Sequence, residues 1–235
     1  MKTGLTNDSS ESELEQDLYL EMGEAHLSSA VETPLRPDAF DLDNNAKIRK
    51  IQEHFAIIME TLGLDLSDDS LRGTPYRVAK MYVDEIFSGL DPANRPRISV
   101  FENKYKYGEM LVEKNIRLSS NCEHHFVPII GKAHVAYISS GKVIGLSKIN
   151  RLVQYYASRP QVQERLTRQI LEDLKQTLDT PDVAVIIDAE HMCVSTRGIR
   201  DTGSATVSAA YSGVFEQEGK RRELLNYIKL NTTQG

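Results

Sequence analysis

Apolar side chains recur at intervals of three or four residues between Ala46 and Gly63, which predicts an amphipathic helix. A second helix is predicted from Thr74, a candidate N-cap residue, to Gly89, a residue type that commonly ends helices. Together these helices form an N-terminal helical segment, residues 45–95. The apolar positions of the first helix are Ile51, Phe55, Ile58 and Leu62.

After Pro96 the apolar positions alternate with polar ones, and this two-residue period is typical of β-strands. Residues 97–101 and 109–117 are predicted as short strands, and residues 126–138 as a longer one. Gly131 interrupts the longer strand, so we expect a bulge or bend there.

Helical spacing returns in the middle of this β-rich region. Ser147 is a candidate N-cap for one helix. After Pro160 a longer helix is predicted from apolar residues at helical spacing: Val162, Leu166, Ile170, Leu174 and Leu178. Residues 183–188 and 204–215 predict two further strands, and residues 220–230 a C-terminal helix. Helices inserted between pairs of strands favour an α+β fold, in which two helices cover one face of an antiparallel four-stranded sheet.

The charge distribution separates the start of the chain from the rest. Residues 1–43 contain eleven acidic side chains against Lys2 and Arg36, a net charge of −9, so the rest carries +3 of the total −6. Such an acidic, serine-rich stretch buries little apolar surface, and we expect a flexible extension over residues 1–44. The sheet body, with the C-terminal helix, is predicted over residues 96–235.

Composition excludes several function classes. No stretch approaches the roughly 20 apolar residues of a membrane helix, and the polar start lacks the apolar core of a signal peptide, so we expect a cytoplasmic protein without membrane contact. The mildly basic body suits an anionic small molecule, but no Lys/Arg block or basic–aromatic stripe suggests nucleic acid. The two cysteines are too few for a disulfide framework, which leaves both thiols free for chemistry.

Both cysteines and three of the six histidines lie in two short segments. Cys122 and His125 are three residues apart, so their side chains can converge in a turn. His191 and Cys193 are two residues apart in a strand-like context, which predicts that they share one face. Because thiolate and imidazole are the ligands that Zn²⁺ prefers, the two pairs together predict a zinc site.

The candidate ligands outnumber what a catalytic zinc site needs. Three protein ligands leave the fourth tetrahedral position for water, and the spacing alone does not choose between His124 and His125. Histidines that do not bind the metal can pass protons near neutral pH, which favours a hydrolase. Taken alone, the pair in CEHH is also typical of a buried cysteine beside a hydrogen-bonded histidine.

Three segments resemble the signature segments of the GTP cyclohydrolase I family, and a fourth resembles the helical stretch that lies N-terminal to them in this family. The signature segments are SSNCEHHFVPIIGKAHVAYI, VIGLSKINRLVQYYASRPQVQERLT and DAEHMCVSTRGIRD, and the helical stretch is RGTPYRVAKMYVDEIFSGLD. The resemblance spans roughly residues 45–228 in order, without large gaps.

This resemblance implies a zinc site with one ion per subunit, held by two cysteines and one histidine. It also implies two proton-handling histidines and a serine that assists them. The choice between neighbouring histidines, left open by the spacing, is thus implied by the resemblance. The implied zinc ligands are Cys122, His125 and Cys193, and the implied catalytic residues are His124, His191 and Ser147.

The resemblance also implies GTP as the substrate. A triphosphate requires cations, and the guanidinium fork suits phosphate well. Glu164, with Gln163 beside it, matches the carboxylate that pairs with guanine N1–H and the exocyclic amine, and adenine lacks that donor pair. The implied phosphate-binding cations are Lys148, Arg151, Arg197 and Arg77.

The implied reaction is zinc-dependent hydrolysis and rearrangement of GTP to 7,8-dihydroneopterin triphosphate and formate, the first step of tetrahydrofolate and other pterin biosynthesis. The implied fold is the tunnelling fold, and family members are toroidal homodecamers with active sites at subunit boundaries. The expected partners are therefore GTP and further copies of the chain, which would pair through open sheet edges.

Three alternatives remain at this point. A zinc-dependent purine nucleotide hydrolase such as a deaminase also uses Cys/His zinc, but the HxE and PCxxC signature of deaminases is absent. A relative that forms pterins by other chemistry is expected to use three histidines, which CEHH with HxC does not supply. A non-catalytic, zinc-stapled oligomeric module would keep the same ligands, and zinc stoichiometry with GTP binding would distinguish it.

Overall fold

In the computed structural model, which describes residues 32–231, two N-terminal helices precede a sheet that has helices inserted between its strands. This element order confirms the predicted α+β class. The helices are α1 (Asn44–Thr61), α2 (Thr74–Lys80), α3 (Leu146–Ala157), α4 (Gln163–Leu178), α5 (Met192–Ser195) and α6 (Glu218–Lys229). The strands are β1 (Val100–Glu102), β2 (Leu111–Cys122), β3 (Pro128–Tyr137), β4 (Lys142–Ile144), β5 (Pro160–Gln161), β6 (Val183–His191) and β7 (Thr206–Tyr211).

The main sheet has five strands in the order β5-β2-β3-β6-β7. The strands β2, β3, β6 and β7 are antiparallel neighbours, as predicted. The predicted four-stranded sheet is extended by β5, which pairs in parallel with the end of β2 because the link between α3 and α4 runs extended beside it. Strands β1 and β4 form a separate antiparallel pair.

The helices α3 and α4 cover one face of the main sheet, and the larger apolar core lies between these helices and the sheet. The positions that the helical spacing predicts as apolar face this core, since Leu166, Ile170 and Leu174 are fully buried. Burying side chains of this size stabilises a fold by roughly 1.5–3 kcal/mol each. A smaller cluster around Phe215 and Leu224 packs α6 against the opposite face.

The N-terminal helices approach the body closely at Gly89. Thr74 is the first residue of α2 and not its cap, since Gly73 holds the N-cap position. The helix continues as a π-helical turn, Met81–Ile86. A Cβ atom on Gly89 would lie 2.0 Å from the Tyr155 carbonyl oxygen, so only glycine lets this segment reach α3.

The predicted irregularity at Gly131 is wrong, because the irregularity lies in the neighbouring strand. The register of β2 and β3 shifts between Glu113 and Ile116, where Asn115 adopts a φ of 58°. Gly131 pairs regularly with β6, and a Cβ atom there would lie 2.1 Å from the Asp188 carbonyl oxygen. Glycine at this position therefore permits the close approach of two strands.

Two boundaries differ from the prediction in ways that bear on the site. The helix α3 begins at Leu146 with Gly145 in the N-cap position, so Ser147 lies in the first helical turn. The strand β2 continues to Cys122 and does not end near residue 117, because its last residues pair with both β3 and β5.

Most of the predicted acidic extension lies outside the described residues, and only its end, from residue 32, precedes α1. The domain division at residues 45 and 96 stays a prediction. Between residues 32 and 231, no helix combines the length and the apolar character needed to cross a membrane.

Candidate active site

The end of β2 and the turn after it bring Cys122 and His125 together. Cys122 is the last residue of β2 and is buried. Its backbone N–H donates to the Val127 carbonyl at 2.8 Å, and the Phe126 N–H donates back to the Cys122 carbonyl at 2.9 Å. These bonds close the chain tightly around the turn, as the three-residue spacing predicts.

The third member comes from the end of β6. His191 ends the strand, and the chain then forms the one-turn helix α5, so the prediction that His191 and Cys193 share a strand face is wrong. Cys122, His125 and Cys193, called the metal group below, each place one ligand atom within 4.8 Å of the others. Two thiols and one imidazole at this spacing fit a single metal ion.

The surroundings of the Cys193 thiol oppose its ionisation, although the charge of Arg197 acts weakly in the other direction. Burial, followed by the neighbouring Cys122 thiol, raises the pKa of Cys193 above its ordinary value. A thiol with a raised pKa is neutral at pH 7, whereas a metal ligand is a thiolate. A bound cation would supply the charge that favours the ionised form.

His125 presents the form of imidazole that binds metals. Its Nε2 lies 2.9 Å from a guanidinium nitrogen of Arg197, which can only donate, so Nε2 accepts and the ring is neutral. Partial burial, and then the charge of Arg197, lower the pKa of His125. Arg197, predicted from the sequence as a phosphate-binding cation, therefore lies at the metal group itself.

His124 lies beside the metal group without joining it. Its Nδ1 is 3.7 Å from Cys122 Sγ, and its ring meets that of His125 edge-on with centroids 6.4 Å apart. The side chain is exposed, while His125 supplies the ligand atom that converges with the thiols. The structure thus distinguishes two neighbouring histidines that the spacing alone could not.

His191 is held by Gln163, the first residue of α4. Gln163 is buried, and its amide nitrogen donates to the Ile187 and Thr206 carbonyls at 3.1 and 2.9 Å. Because carbonyls only accept, the amide oxygen faces His191 Nε2, at 2.8 Å. Nε2 of His191 therefore carries a hydrogen, and Nδ1 is the ring nitrogen left for other partners.

Glu164 follows Gln163 and lines an open groove of about 690 Å³ between α4 and β7. Its side chain is exposed. Burial lowers the pKa of His191, and the Glu164 carboxylate raises it by less, so the pKa lies below the ordinary 6.5. His191 is therefore neutral at pH 7 in the absence of substrate.

The remaining predicted residues lie on other elements of the chain. Ser147, Lys148 and Arg151 lie in the first turns of α3, and Arg77 lies on α2. Arg77 donates to Thr74 Oγ1 at 2.8 Å, within its own helix. Across residues 32–231, no hydrogen bond or ion pair joins these four residues to the metal group. A single chain thus brings the metal group together with Arg197, Gln163, Glu164 and the two histidines outside the group, His124 and His191.

The site also contains a buried ion pair that the sequence did not reveal. Glu123, inside the turn of the metal group, pairs with Arg165 on α4. The two residues are 42 positions apart, and no pattern in the sequence links them. The one available signal is a charged residue enclosed within CEHH.

Comparison with known proteins gives consistent matches over most of the chain. The model of the family described as GTP cyclohydrolase I matches residues 51–229. The GTP cyclohydrolase 1 of Flavobacterium johnsoniae is 59% identical, over 92% of this chain and 97% of its own length. That of Citrobacter koseri is 56% identical, and that of Escherichia coli (strain K12 / DH10B) 55%, each over 88% of this chain and 93% of its own.

One solved structure, the archaeosine synthase QueF-Like in the apo form, covers 44% of this chain and 93% of its own. Its TM-score of 0.38 at 23% identity is too low to support a conclusion about this protein. The family match and the relatives at 55–59% identity are sufficient without it. The chain belongs to the GTP cyclohydrolase I family.

Proposed function

We propose that this enzyme converts GTP to 7,8-dihydroneopterin triphosphate and formate, the first step of tetrahydrofolate and other pterin biosynthesis. The observation that carries the proposal is the metal group, whose three ligand atoms lie within 4.8 Å of one another. His124 lies beside Cys122, and His191 ends the strand that precedes Cys193. Family membership supports GTP as the substrate. The reaction requires hydrolysis of the purine ring and several proton transfers, and the site offers groups for both.

The ion proposed for the metal group is zinc, one per subunit. Two thiolates and one imidazole are a donor set that suits Zn²⁺, and three ligands leave a tetrahedral position open. When bound, zinc activates water for hydrolysis at neutral pH. The chain's contribution is to hold Cys122, His125 and Cys193 at a spacing that fits the ion.

His191 is proposed to hold a proton at N7 of the purine. Because its Nε2–H is committed to Gln163, Nδ1 is the atom that can meet the substrate. Nδ1 must take up a proton before it can pass one to N7, and the negative charge of a bound triphosphate favours that protonated form of the ring. Protonation of N7 makes C8 electrophilic, so that water attack opens the imidazole ring to a formamide. A second hydrolysis then releases formate and frees an amine.

His124 and Ser147 are proposed to move protons in the later steps. The freed amine allows the ribose to open, rearrange in the Amadori manner and close onto the base. His124 is exposed beside Cys122, so an open sugar can reach it. Ser147 is also exposed, on the first turn of α3.

Glu164 is proposed to read guanine. An exposed carboxylate next to the groove can accept from both N1–H and the exocyclic amine, whereas adenine lacks this donor pair. Gln163, the other residue expected to bind the substrate, is buried with its amide directed inward, so its side chain is proposed to act by holding His191 and not by contacting guanine. The enzyme should therefore select GTP over ATP.

A toroidal homodecamer with active sites at subunit boundaries is proposed as the working assembly. The sheet with its covering helices is the tunnelling fold of this family, and β5 and β7 are its edge strands. Arg197 already lies at the metal group, while Lys148, Arg151 and Arg77 lie elsewhere in one chain. A neighbouring copy would supply such cations to the triphosphate, which suits a site shared between subunits.

The test is to incubate the full-length, zinc-loaded protein with GTP and, in parallel, with ATP. Formate and pterin fluorescence from GTP alone are the expected result. Formate from ATP as well would favour another zinc-dependent purine nucleotide hydrolase. No product from an assembled, zinc-loaded protein would overturn the proposal in favour of a non-catalytic zinc-stapled module.

A further inference from the structure

Glu123 occupies the turn between two members of the metal group, and its side chain is paired with Arg165. The Arg165 guanidinium donates through both terminal nitrogens to the two carboxylate oxygens, one of these bonds measuring 3.3 Å. The Arg165 side chain is only 4% exposed and that of Glu123 18%. The pair is therefore bidentate and largely removed from water.

The backbone of the same turn is tied to the same region. The Glu123 N–H donates to the Gln161 carbonyl at 3.0 Å, and Cys122 pairs with Gln161 where β2 meets β5. The Gln161 side chain in turn donates to Gln169 Oε1 on α4, at 2.8 Å. Both the main chain and the side chain of the turn are thus anchored around α4.

Stability alone does not account for a buried ion pair at this place. Replacing such a pair by apolar residues of similar volume is often neutral or stabilising, because desolvation offsets the Coulomb attraction. A bidentate arginine–carboxylate pair does fix the relative orientation of the elements it joins. Here it joins α4 to the segment that carries Cys122 and His125, while Gln163, two residues before Arg165, holds His191.

We propose that Arg165 is a positioning residue for the metal site. Through its ion pair with Glu123, Arg165 keeps the turn at residues 122–125 in the conformation that binds zinc. The inference deepens the proposed function and rests on it, because it requires the metal group to hold an ion. Groups that orient metal ligands without touching the ion are typically worth 10–100-fold in affinity. Arg165 orients the ligands through the turn between them.

The test measures the zinc dissociation constant of the full chain by competition with a chromophoric chelator. Glu123→Gln and Arg165→Gln are each expected to raise this constant by about 10–100-fold. The double variant is expected to lose no more zinc affinity than the single variant that binds zinc less tightly, because both changes break the same ion pair. Thermal unfolding of the metal-free proteins, recorded in parallel, shows whether each variant is folded.

The matched control is Asp173→Asn, which breaks another bidentate arginine pair on α4, about 12 Å further along the helix. It should lower the thermal midpoint and leave the zinc dissociation constant within about twofold of the wild type. An equal loss of zinc affinity in this control would overturn the proposal, since it would indicate general loosening of α4.

Wild-type zinc affinity in a folded Glu123→Gln would overturn the proposal directly. If Arg165→Gln does not fold, Glu123→Gln decides, because it breaks the bidentate ion pair with the least change in side-chain size: the amide is uncharged and has one acceptor oxygen where the carboxylate has two. A wild-type chain that binds no zinc would overturn the proposed function and this inference together. Zinc binding by the wild type with no effect of either variant would overturn only the role of Arg165.

Discussion

Two buried polar networks lie along the single helix α4, one at its first turn and one in its second half. At the first turn, Gln163 bonds to His191, and Arg165 pairs with Glu123 beside the metal group. In the second half, Asp173 accepts from Arg95 through two bonds, of 3.0 and 2.6 Å. Both networks bury charge on the same helix, yet they lead to different parts of the molecule.

The second network serves packing. Asp173 also accepts from the Tyr156 hydroxyl at 2.7 Å, so it ties α3 and the segment before β1 to α4. None of the residues that the sequence indicates for chemistry takes part in it. The comparison shows that a buried charge does not by itself identify a functional residue, and that its partner decides the role.

The largest effect is expected at the metal group, on which the first network converges. Cys193→Ala removes one of three ligands, so the protein should no longer bind zinc stoichiometrically. The rate of GTP ring opening should fall by more than about 100-fold, which exceeds the usual effect of changing a residue that only orients a metal ligand. Metal analysis and formate release measure the two together. A metal-free variant that still released formate would contradict the scheme.

The next effect is expected at Gln163, which orients His191 without binding the metal. Gln163→Ala should lower kcat for formate release by about 10–100-fold, with bound zinc and the KM for GTP little changed, because the His191 ring loses its partner at Nε2. The measurement is steady-state kinetics with metal analysis of the same sample.

Gln161→Ala is the matched control for that experiment. Gln161 is equally buried and donates to the Tyr156 carbonyl and to Gln169, but not to His191. Because the Gln161 side chain also helps to anchor the turn at residues 122–125, kcat is compared per zinc-loaded subunit. On that basis the variant should lose stability and keep kcat close to the wild type. If both glutamine variants lost kcat equally, the effect of Gln163 would be one of packing alone.

The sequence predicted the apolar side of α4 correctly and missed its buried polar side. Leu166, Ile170 and Leu174 recur at helical spacing and are buried as expected. Arg165 and Asp173 are buried on the same helix, although a pattern of polar and apolar positions assigns charged residues to the surface. Their partners are distant in sequence, and no local rule identifies them.

The sequence predicted which residues form the candidate site better than it predicted the backbone conformation that carries them. The convergence of Cys122 and His125 follows from their spacing, and the structure confirms it. The expected strand at His191 and Cys193 is wrong, because the chain turns into α5 directly after His191. Side-chain identity and approximate spacing were sufficient to indicate a metal, whereas the local backbone depends on packing that only the folded chain provides.

A smaller effect, on stability alone, is expected in the second network. Asp173→Asn leaves the Arg95 guanidinium without its charged partner and should lower the free energy of unfolding by about 2 kcal/mol near pH 7. Formate release per folded, zinc-loaded subunit should stay at the wild-type rate. Urea unfolding and the kinetic assay check the two parts, and a loss of kcat without a loss of stability would contradict the separation of the networks.

The smallest effect is the pH dependence of the difference in unfolding free energy between the wild type and Asp173→Asn. Burial tends to raise the pKa of Asp173, but hydrogen bonds from Arg95, Tyr156 and Thr177 outweigh it and hold the pKa below the ordinary 3.8. Below pH 3.8 the unfolded chain therefore binds more protons at this residue than the folded chain does. The stability that ionised Asp173 contributes is fully present above that pH and is lost as the pH falls through its folded pKa.

Asparagine does not titrate, so the difference in unfolding free energy between the wild type and Asp173→Asn should be constant well above pH 3.8 and should narrow below it. Urea unfolding of the metal-free proteins across this range measures the difference without the acid release of zinc. A difference that stayed constant or widened at low pH would show that the carboxylate is not held ionised by its partners. The second network would then stabilise the fold through packing and not through the charge of Asp173.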